Sequence, residues 1–249
     1  MVSIFENSTQ DNHRAHPTPA DDVAASLNDG KTHLLLAATG SVATIKLPNI
    51  ISSFSNYANV SIRVILTKAA VPFLDHFYND PGKLAIASLP NVDGIYQDED
   101  EHAEKWTRGA EILHIALRRW AHILLVAPMS ANTLAKVVNG MSDNLLTSVI
   151  RAWDTTGVID GKRKRIIVAL AMNTAMWVHP ITAQQVRVLE KDWGVQEVDD
   201  NVQQQQQGWF EVLRPIEKTL ACGDTGSGAM REWTDIVQII KHRLNLLPE

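Results

Sequence analysis

Four continuous apolar runs limit what this chain can fold into: "THLLLAATG" at Thr32–Gly40, "VSIRVILTKAA" at Val60–Ala70, "AHILLVAP" at Ala121–Pro128 and "KRKRIIVALAMN" at Lys162–Asn173. Each is rich in aliphatic and β-branched residues and is apolar throughout, without strict alternation, as expected of strands buried on both faces. Helix-like stretches separate them, among them "SVATIKLPNIISSFSNY", with Pro48 as a potential kink, and the closing "REWTDIVQIIKHRLNLL". Strand–helix alternation of this kind predicts an open parallel sheet with helices on both faces. Such sheets bind ligands beyond the carboxyl ends of their strands. The unusual residues of this sequence fall there: Gly40–Ser41, Thr67–Lys68, Pro128–Thr133 and Ala171–Trp177.

Residues 1–30 are polar, with little periodicity, and are expected to form a disordered arm. Residues 31–249 are expected to form one domain, interrupted near 199–208 by a low-complexity loop holding five glutamines, Gln203–Gln207. "ACGDTGSGAM" at Ala221–Met230 is expected to be a glycine-rich loop. A net charge of −5 argues against a nucleic-acid-binding role. No apolar run approaches the ~20 residues needed to cross a bilayer, and the polar N-terminus has no secretory core. One cysteine, Cys222, excludes an internal disulfide. These features point to a cytoplasmic protein without a membrane or nucleic-acid partner. No metal-ligand spacing occurs, and no metal site is expected.

Within "ATGSVA", Gly40 and Ser41 follow a strand directly and suit either a phosphate-binding turn or a plain helix cap. Neither the Walker nor the GxGxxG pattern is present. In "APMSANTLAKVVNGMSDNLL", Ser130, Ala131, Asn132 and Thr133 let a flat ligand approach the backbone and offer amides to its polar edge. The same residues also suit a helix start, with Ser130 or Asn132 as cap. His114 in "LHIALRRWAHILLVAP" suits acid–base chemistry or a structural role, and Arg118 and Arg119 face a carboxylate, a neighbouring subunit or solvent. Cys222 lies among glycines that would permit a mobile flap, where a thiol can donate a proton. "DEDEHAEKW" at Asp98–Trp106 reads as a solvated acidic surface.

Together, "TGSVATIK", "LHIALRRWA", "APMSANTLAKVVNGMSDNLLTSVIRAWD", "AMNTAMW" and "LACGDTGSGAM" resemble the homo-oligomeric flavin-containing cysteine decarboxylases. The nearest branch is that of the phosphopantothenoylcysteine decarboxylases and the plant and fungal halotolerance flavoproteins. The resemblance runs from about Lys31 to Leu244. It implies an α/β, Rossmann-like, flavodoxin-type sheet, bound FMN, and a homotrimer with interfacial active sites. It also implies a carboxy-lyase reaction: 4′-phospho-N-pantothenoyl-cysteine to 4′-phosphopantetheine, in coenzyme A biosynthesis.

By motif, the resemblance gives Gly40, Ser41 and Val42 to the flavin phosphate, and Thr67 and Lys68 to the cofactor after the second strand. It sets Ser130, Ala131, Asn132, Thr133 and Ala171 around the flavin ring. His114, Asn173 and Cys222 match catalytic residues, and Asn173, Met176 and Ala221 match substrate-binding ones. In such enzymes the substrate passes through a thioaldehyde, which accepts the electron pair when CO₂ leaves, and then through an enethiol. His114 would serve as base or orienter, Asn173 as an uncharged clamp for the carboxylate, and Cys222 as proton donor. One position departs from the pattern: Leu170 stands where the family motif has proline, adding an N–H and some freedom ahead of Asn173.

The alternative implied by the same resemblance is a regulatory subunit that inhibits a protein phosphatase, or one that assembles with paralogues. The resemblance associates that role with longer N-terminal and acidic C-terminal segments. A chain ending in "LNLLPE" is therefore expected to favour catalysis.

Overall fold

The computed structural model describes residues 17–75, 86–102, 107–196, 208–219 and 225–246. Six strands form one sheet: β1 (Thr32–Ala38), β2 (Val60–Leu66), β3 (Val92–Tyr96), β4 (Ile123–Met129), β5 (Arg165–Leu170) and β6 (Phe210–Leu213). Their order is β3-β2-β1-β4-β5-β6, and every pairing is parallel. From β1 the chain winds outward through β2 and β3, then returns to β4 on the other side of β1. That reversal opens a crevice between the carboxyl ends of β1 and β4. The expected α/β, Rossmann-like open parallel sheet is therefore the fold of this chain.

The strands are apolar on both faces because helices cover both. Successive side chains of a strand point to opposite sides. Leu35, Ala37, Leu124, Val126, Ile166 and Val168 pack on one side, with the helices α5 (Leu113–Trp120), α6 (Ala131–Val138) and α7 (Leu145–Arg151). Leu34, Leu36, Leu125, Ile167 and Ala169 pack on the other, with α2 (Leu47–Ser52) and α10 (Trp233–Arg243). Pro48 lies at the start of α2, where its missing N–H costs nothing, so a short 3₁₀ turn at Val42–Lys46 gives way to a new helix with no kinked one.

Two sequence expectations are corrected. The arm expected to lack structure through residue 30 holds helix α1 (Pro19–Ala25). Thr18 and Asp21 form a reciprocal capping box, and Pro19 occupies the first helical position. Ala20 and Val23 are buried, and Asp22 and Ser26 accept from the buried Arg63 guanidinium at 3.0 and 3.1 Å. Arg63 also donates to the hydroxyl of Tyr96, whose pKa burial pushes up to about 12 against the pull of that guanidinium. Second, the glycine-rich segment is a strand over Thr225–Ala229 (β8), paired antiparallel with β7 (Ile216–Thr219). The acidic stretch follows strand β3 and opens with a one-turn helix, α4 (Asp98–Glu101). The glutamine run, Ala221 and Cys222 lie outside the described residues.

Candidate active site

The crevice at the β1/β4 reversal is stitched by Thr39. Its hydroxyl donates to the Pro128 carbonyl at 2.9 Å and accepts from the Ser130 N–H at 2.8 Å. Its carbonyl accepts from the Thr44 hydroxyl at 2.9 Å. The ends of β1 and β4 are thereby fixed while the loops after them splay apart. Between those loops, the turn after β2, the end of β5 and the β7–β8 hairpin lies a cavity of about 910 Å³. That volume is at the upper end of the range for small-molecule and cofactor sites.

All ten residues expected to face a cofactor line this cavity: Gly40, Ser41, Val42, Thr67, Lys68, Ser130, Ala131, Asn132, Thr133 and Ala171. Asn173 and Met176 line it as well. Several also do local structural work. Ser41 caps the 3₁₀ turn, accepting from Ala43 N at 3.4 Å. Ser130, rather than Asn132, caps α6, accepting from Thr133 N at 3.3 Å. Asn132 is thus left exposed toward the cavity. At Gly40, a Cβ would come within 2.8 Å of the Ala69 Cβ, so only glycine lets these two loops meet.

At the end of β5, Leu170 is fully buried and still paired with Met129 in the sheet. The extra freedom expected there is taken up by packing. Asn173 then caps the short helix α8 (Thr174–Val178): its Oδ1 accepts from Met176 N at 2.8 Å. That bond fixes the amide orientation, because only the oxygen can accept. The NH₂ group is left as a donor on a residue that lines the cavity. Met176 is 52% exposed at the rim, while Trp177 packs against the core.

Among the cavity's cations, sequence reasoning singled out Lys68 but missed Lys46 and Arg231. Lys46, Lys68 and Arg231 line it, and among the described residues none has a carboxylate partner. Arg231 Nε is buried without a hydrogen-bond partner among those residues. Lys136 and Lys218 are neutralised by Asp143 and Glu232, each at 2.6 Å. An anion-bearing ligand would complete this lining. Only an arginine or lysine whose charge has no sequence-local partner could have signalled this, and that cannot be read without contacts.

His114 does not line the cavity of its own chain. It sits at the start of α5, where Glu101 holds both its ring Nδ1, at 2.7 Å, and its backbone N–H, at 3.1 Å. The reading of this acidic stretch as solvated surface is therefore wrong at Glu101, whose side chain is 12% exposed. Arg118 is buried and pairs with Asp160 at 3.2 Å, whereas Arg119 is half-exposed. No group of three His, Cys, Asp or Glu side chains able to hold a metal occurs among the described residues.

Comparison with known proteins agrees with this geometry. A family profile described as Flavoprotein matches residues 22–245. A phosphopantothenoylcysteine decarboxylase of Arabidopsis thaliana is 41% identical over 212 residues, 85% of this chain and 84% of that protein. A solved structure of a PPC decarboxylase mutant complexed with pantothenoylaminoethenethiol superposes with a TM-score of 0.67, at 39% identity over 85% of this chain and 97% of that one. The FMN binding protein AtHal3 superposes with a TM-score of 0.65, at 39% identity over 88% of this chain and 100% of that one. The chain spans only 30% of a Schizosaccharomyces pombe relative called probable thymidylate synthase, 41% identical over 220 residues. It spans 34% of the Saccharomyces cerevisiae coenzyme A biosynthesis protein 3, 39% identical over 232 residues. With the profile covering nearly its whole length and the sheet, crevice and lining in place, this chain belongs to the flavoprotein family.

Proposed function

We propose that this chain binds FMN and decarboxylates 4′-phospho-N-pantothenoyl-cysteine to 4′-phosphopantetheine. The observation that carries this reading is the convergence, on one cavity at the strand ends, of every residue expected to face the flavin, together with Asn173 and Met176. The fit of a flavin phosphate is supported by the glycine-only approach of Gly40 to Ala69 and by Lys46, Lys68 and Arg231, which have no carboxylate partner among the described residues. Ser130–Thr133 and Ala171 offer a small-residue wall and amide donors for a flat ring. When bound, a flavin would supply reversible two-electron chemistry at the substrate's thiol-bearing carbon, with no net redox change over the reaction.

The protein's own groups bind, orient and move protons. Asn173, its oxygen engaged by Met176 N, turns two N–H donors toward a substrate carboxylate. A neutral clamp suits a group that must leave as uncharged CO₂, since a fixed cation would stabilise the starting carboxylate and raise the barrier. Met176 covers the apolar part of the substrate. Cys222, matched by motif, is the proton donor for the final enethiol.

His114 is the base or orienter. Because it does not line the cavity of its own chain, we place it in the cavity of a neighbouring copy, within a homotrimer. Exposed apolar side chains at Met141, Met176, Val178 and Ile181 support such an assembly. No helix among the described residues is long and apolar enough to cross a membrane. With its lone cysteine, the protein suits the reducing cytoplasm.

The test is a visible spectrum and a turnover assay on the purified chain and on His114→Asn. The expected result is yellow protein that releases CO₂ from the substrate, and a yellow but inactive variant. Folded, colourless protein without turnover would overturn the reading.

A further inference from the structure

We propose that Glu101 is the positioning residue of His114, holding the imidazole in its Nδ1–H tautomer so that Nε2 is the atom that accepts a proton. This rests on the reading of His114 as base or orienter given above. The geometry comes from a helical turn pinned at both ends. Gln97 N donates to Asp100 at 2.7 Å, closing a capping box around α4. At the start of that turn, Asp98 accepts from Leu145 N, the first residue of α7, at 3.0 Å. At its end, Glu101 reaches α5, whose N-cap residue, Ile112, has no side chain able to cap.

The carboxylate grips one residue twice. Oε2 accepts the backbone N–H of His114 at 3.1 Å, and Oε1 lies 2.7 Å from its Nδ1. An ionised carboxylate only accepts, so Nδ1 must carry the proton. Two contacts to the backbone and ring of the same residue fix the side-chain rotamer as well as the tautomer. Nε2 then keeps its lone pair, and no partner occupies it among the described residues. The His114 side chain is 26% exposed, so Nε2 remains within reach of a reacting group or a neighbouring subunit. The nearby cations do not compete for Glu101: Arg118 is bound to Asp160, and Arg119 lies 3.9 Å from Glu111. A histidine whose tautomer is set by a neighbouring acid is the arrangement that serves general-base chemistry.

Glu101 also replaces the missing cap of α5, so the test must separate the two roles. Glu101→Ala removes both contacts. Glu101→Ala with Ile112→Ser restores a cap to α5 but puts no carboxylate at Nδ1. ¹⁵N NMR of the holoprotein reads the His114 tautomer, and steady-state assays read kcat and KM. The expected result is an Nδ1–H ring in wild type, and a shift toward the Nε2–H form in both variants. kcat is expected to fall about 100-fold in both, with KM nearly unchanged. Recovery of kcat in the capped double variant would reduce Glu101 to a helix cap and overturn the proposal. An Nε2–H ring in wild type would overturn it as well. Should wild type bind flavin yet turn over nothing, the activity reading fails, while the tautomer still decides whether Glu101 sets the ring.

Discussion

Met172 donates its backbone N–H to the carbonyl of Gly228 at 3.0 Å, and that bond fastens the β7–β8 hairpin across the strand end bearing Asn173. The contact is backbone on backbone, and it has no spare room. A Cβ at Gly228 would lie 2.0 Å from the Met172 carbonyl oxygen, and one at Gly226 would lie 1.8 Å from the Thr174 hydroxyl. The glycines are there for close approach, and their spacing by two puts both on one face of β8.

Gly228→Ala should therefore lift the hairpin off the end of β5. The sheet does not depend on that contact, so far-UV circular dichroism should be unchanged. Overpacking of this size costs about 1–3 kcal/mol. Its functional effect should exceed its effect on stability: kcat/KM is expected to fall at least about tenfold, and flavin release should be faster. Wild-type kcat/KM in this variant would show that the clamp is unimportant to the site.

Asn173→Asp separates the two uses of one side chain. Aspartate caps a helix about as well as asparagine, so α8 should stay in place and thermal stability should change by less than about 0.5 kcal/mol. The two N–H donors, however, become a carboxylate facing the substrate's own carboxylate. Turnover should fall at least about 100-fold, by the loss of roughly 3 kcal/mol of binding that like charges and missing donors would bring. Asn173→Ala should lose both uses, the donors with turnover and the cap with about 1 kcal/mol of stability. A turnover number near wild type in the aspartate variant would refute the carboxylate clamp.

The parts of this architecture legible in the sequence are those set by local pattern. The runs at Leu34–Ala38 and Ile166–Leu170 announce strands buried on both sides, and small or polar residues just beyond them announce a crevice. What stayed hidden depends on distant contacts. Glu101 looks like one more surface acid until its turn is pinned by Leu145 and it meets a residue 13 positions away. Thr225–Ala229 looks like a loop because glycine is a poor strand former, and only its docking on Met172 makes glycine necessary. The capping signature at Thr18–Asp21 was readable locally, but it was masked by the polar composition around it.

Asp154 holds a loop together from beneath. Its buried carboxylate accepts from the N–H groups of Thr156, Gly157, Ile159 and Asp160 at 2.8–3.2 Å, and from the Thr156 hydroxyl at 3.0 Å. Burial pulls its pKa up, but the bonds from Asp160, Thr156, Ile159 and Gly157 outweigh it and bring the group down to about 2. The loop in turn sets Asp160 against Arg118 and Lys164, at 3.2 and 2.9 Å. Asp154→Ala should cost about 2–4 kcal/mol by stranding these donors and loosening a buried ion cluster. None of these residues lines the cavity, so flavin affinity at a temperature where the variant is folded should be unchanged. Chemical denaturation and flavin titration measure the two quantities separately.

At the opposite end of the sheet, His122 should make stability depend on pH. Its Nδ1 accepts the backbone N–H of His33 at 3.0 Å, so a proton there would set two donors face to face. Burial, then the charges of Lys162, His33 and Lys164, hold its pKa down from 6.5 to about 4. A depressed histidine pKa means that the unfolded chain binds the proton more readily than the folded one. Stability from this group is therefore full above about pH 6.5 and is lost as pH falls from there toward 4, after which the loss levels off. The shift corresponds to about 3 kcal/mol at most, and to roughly half that once partial exposure is discounted. His122→Asn keeps an acceptor near the Nδ1 position but does not titrate. Denaturation midpoints measured from pH 4 to 7 should fall more steeply with acid in wild type than in this variant, and parallel curves would remove His122 as the cause.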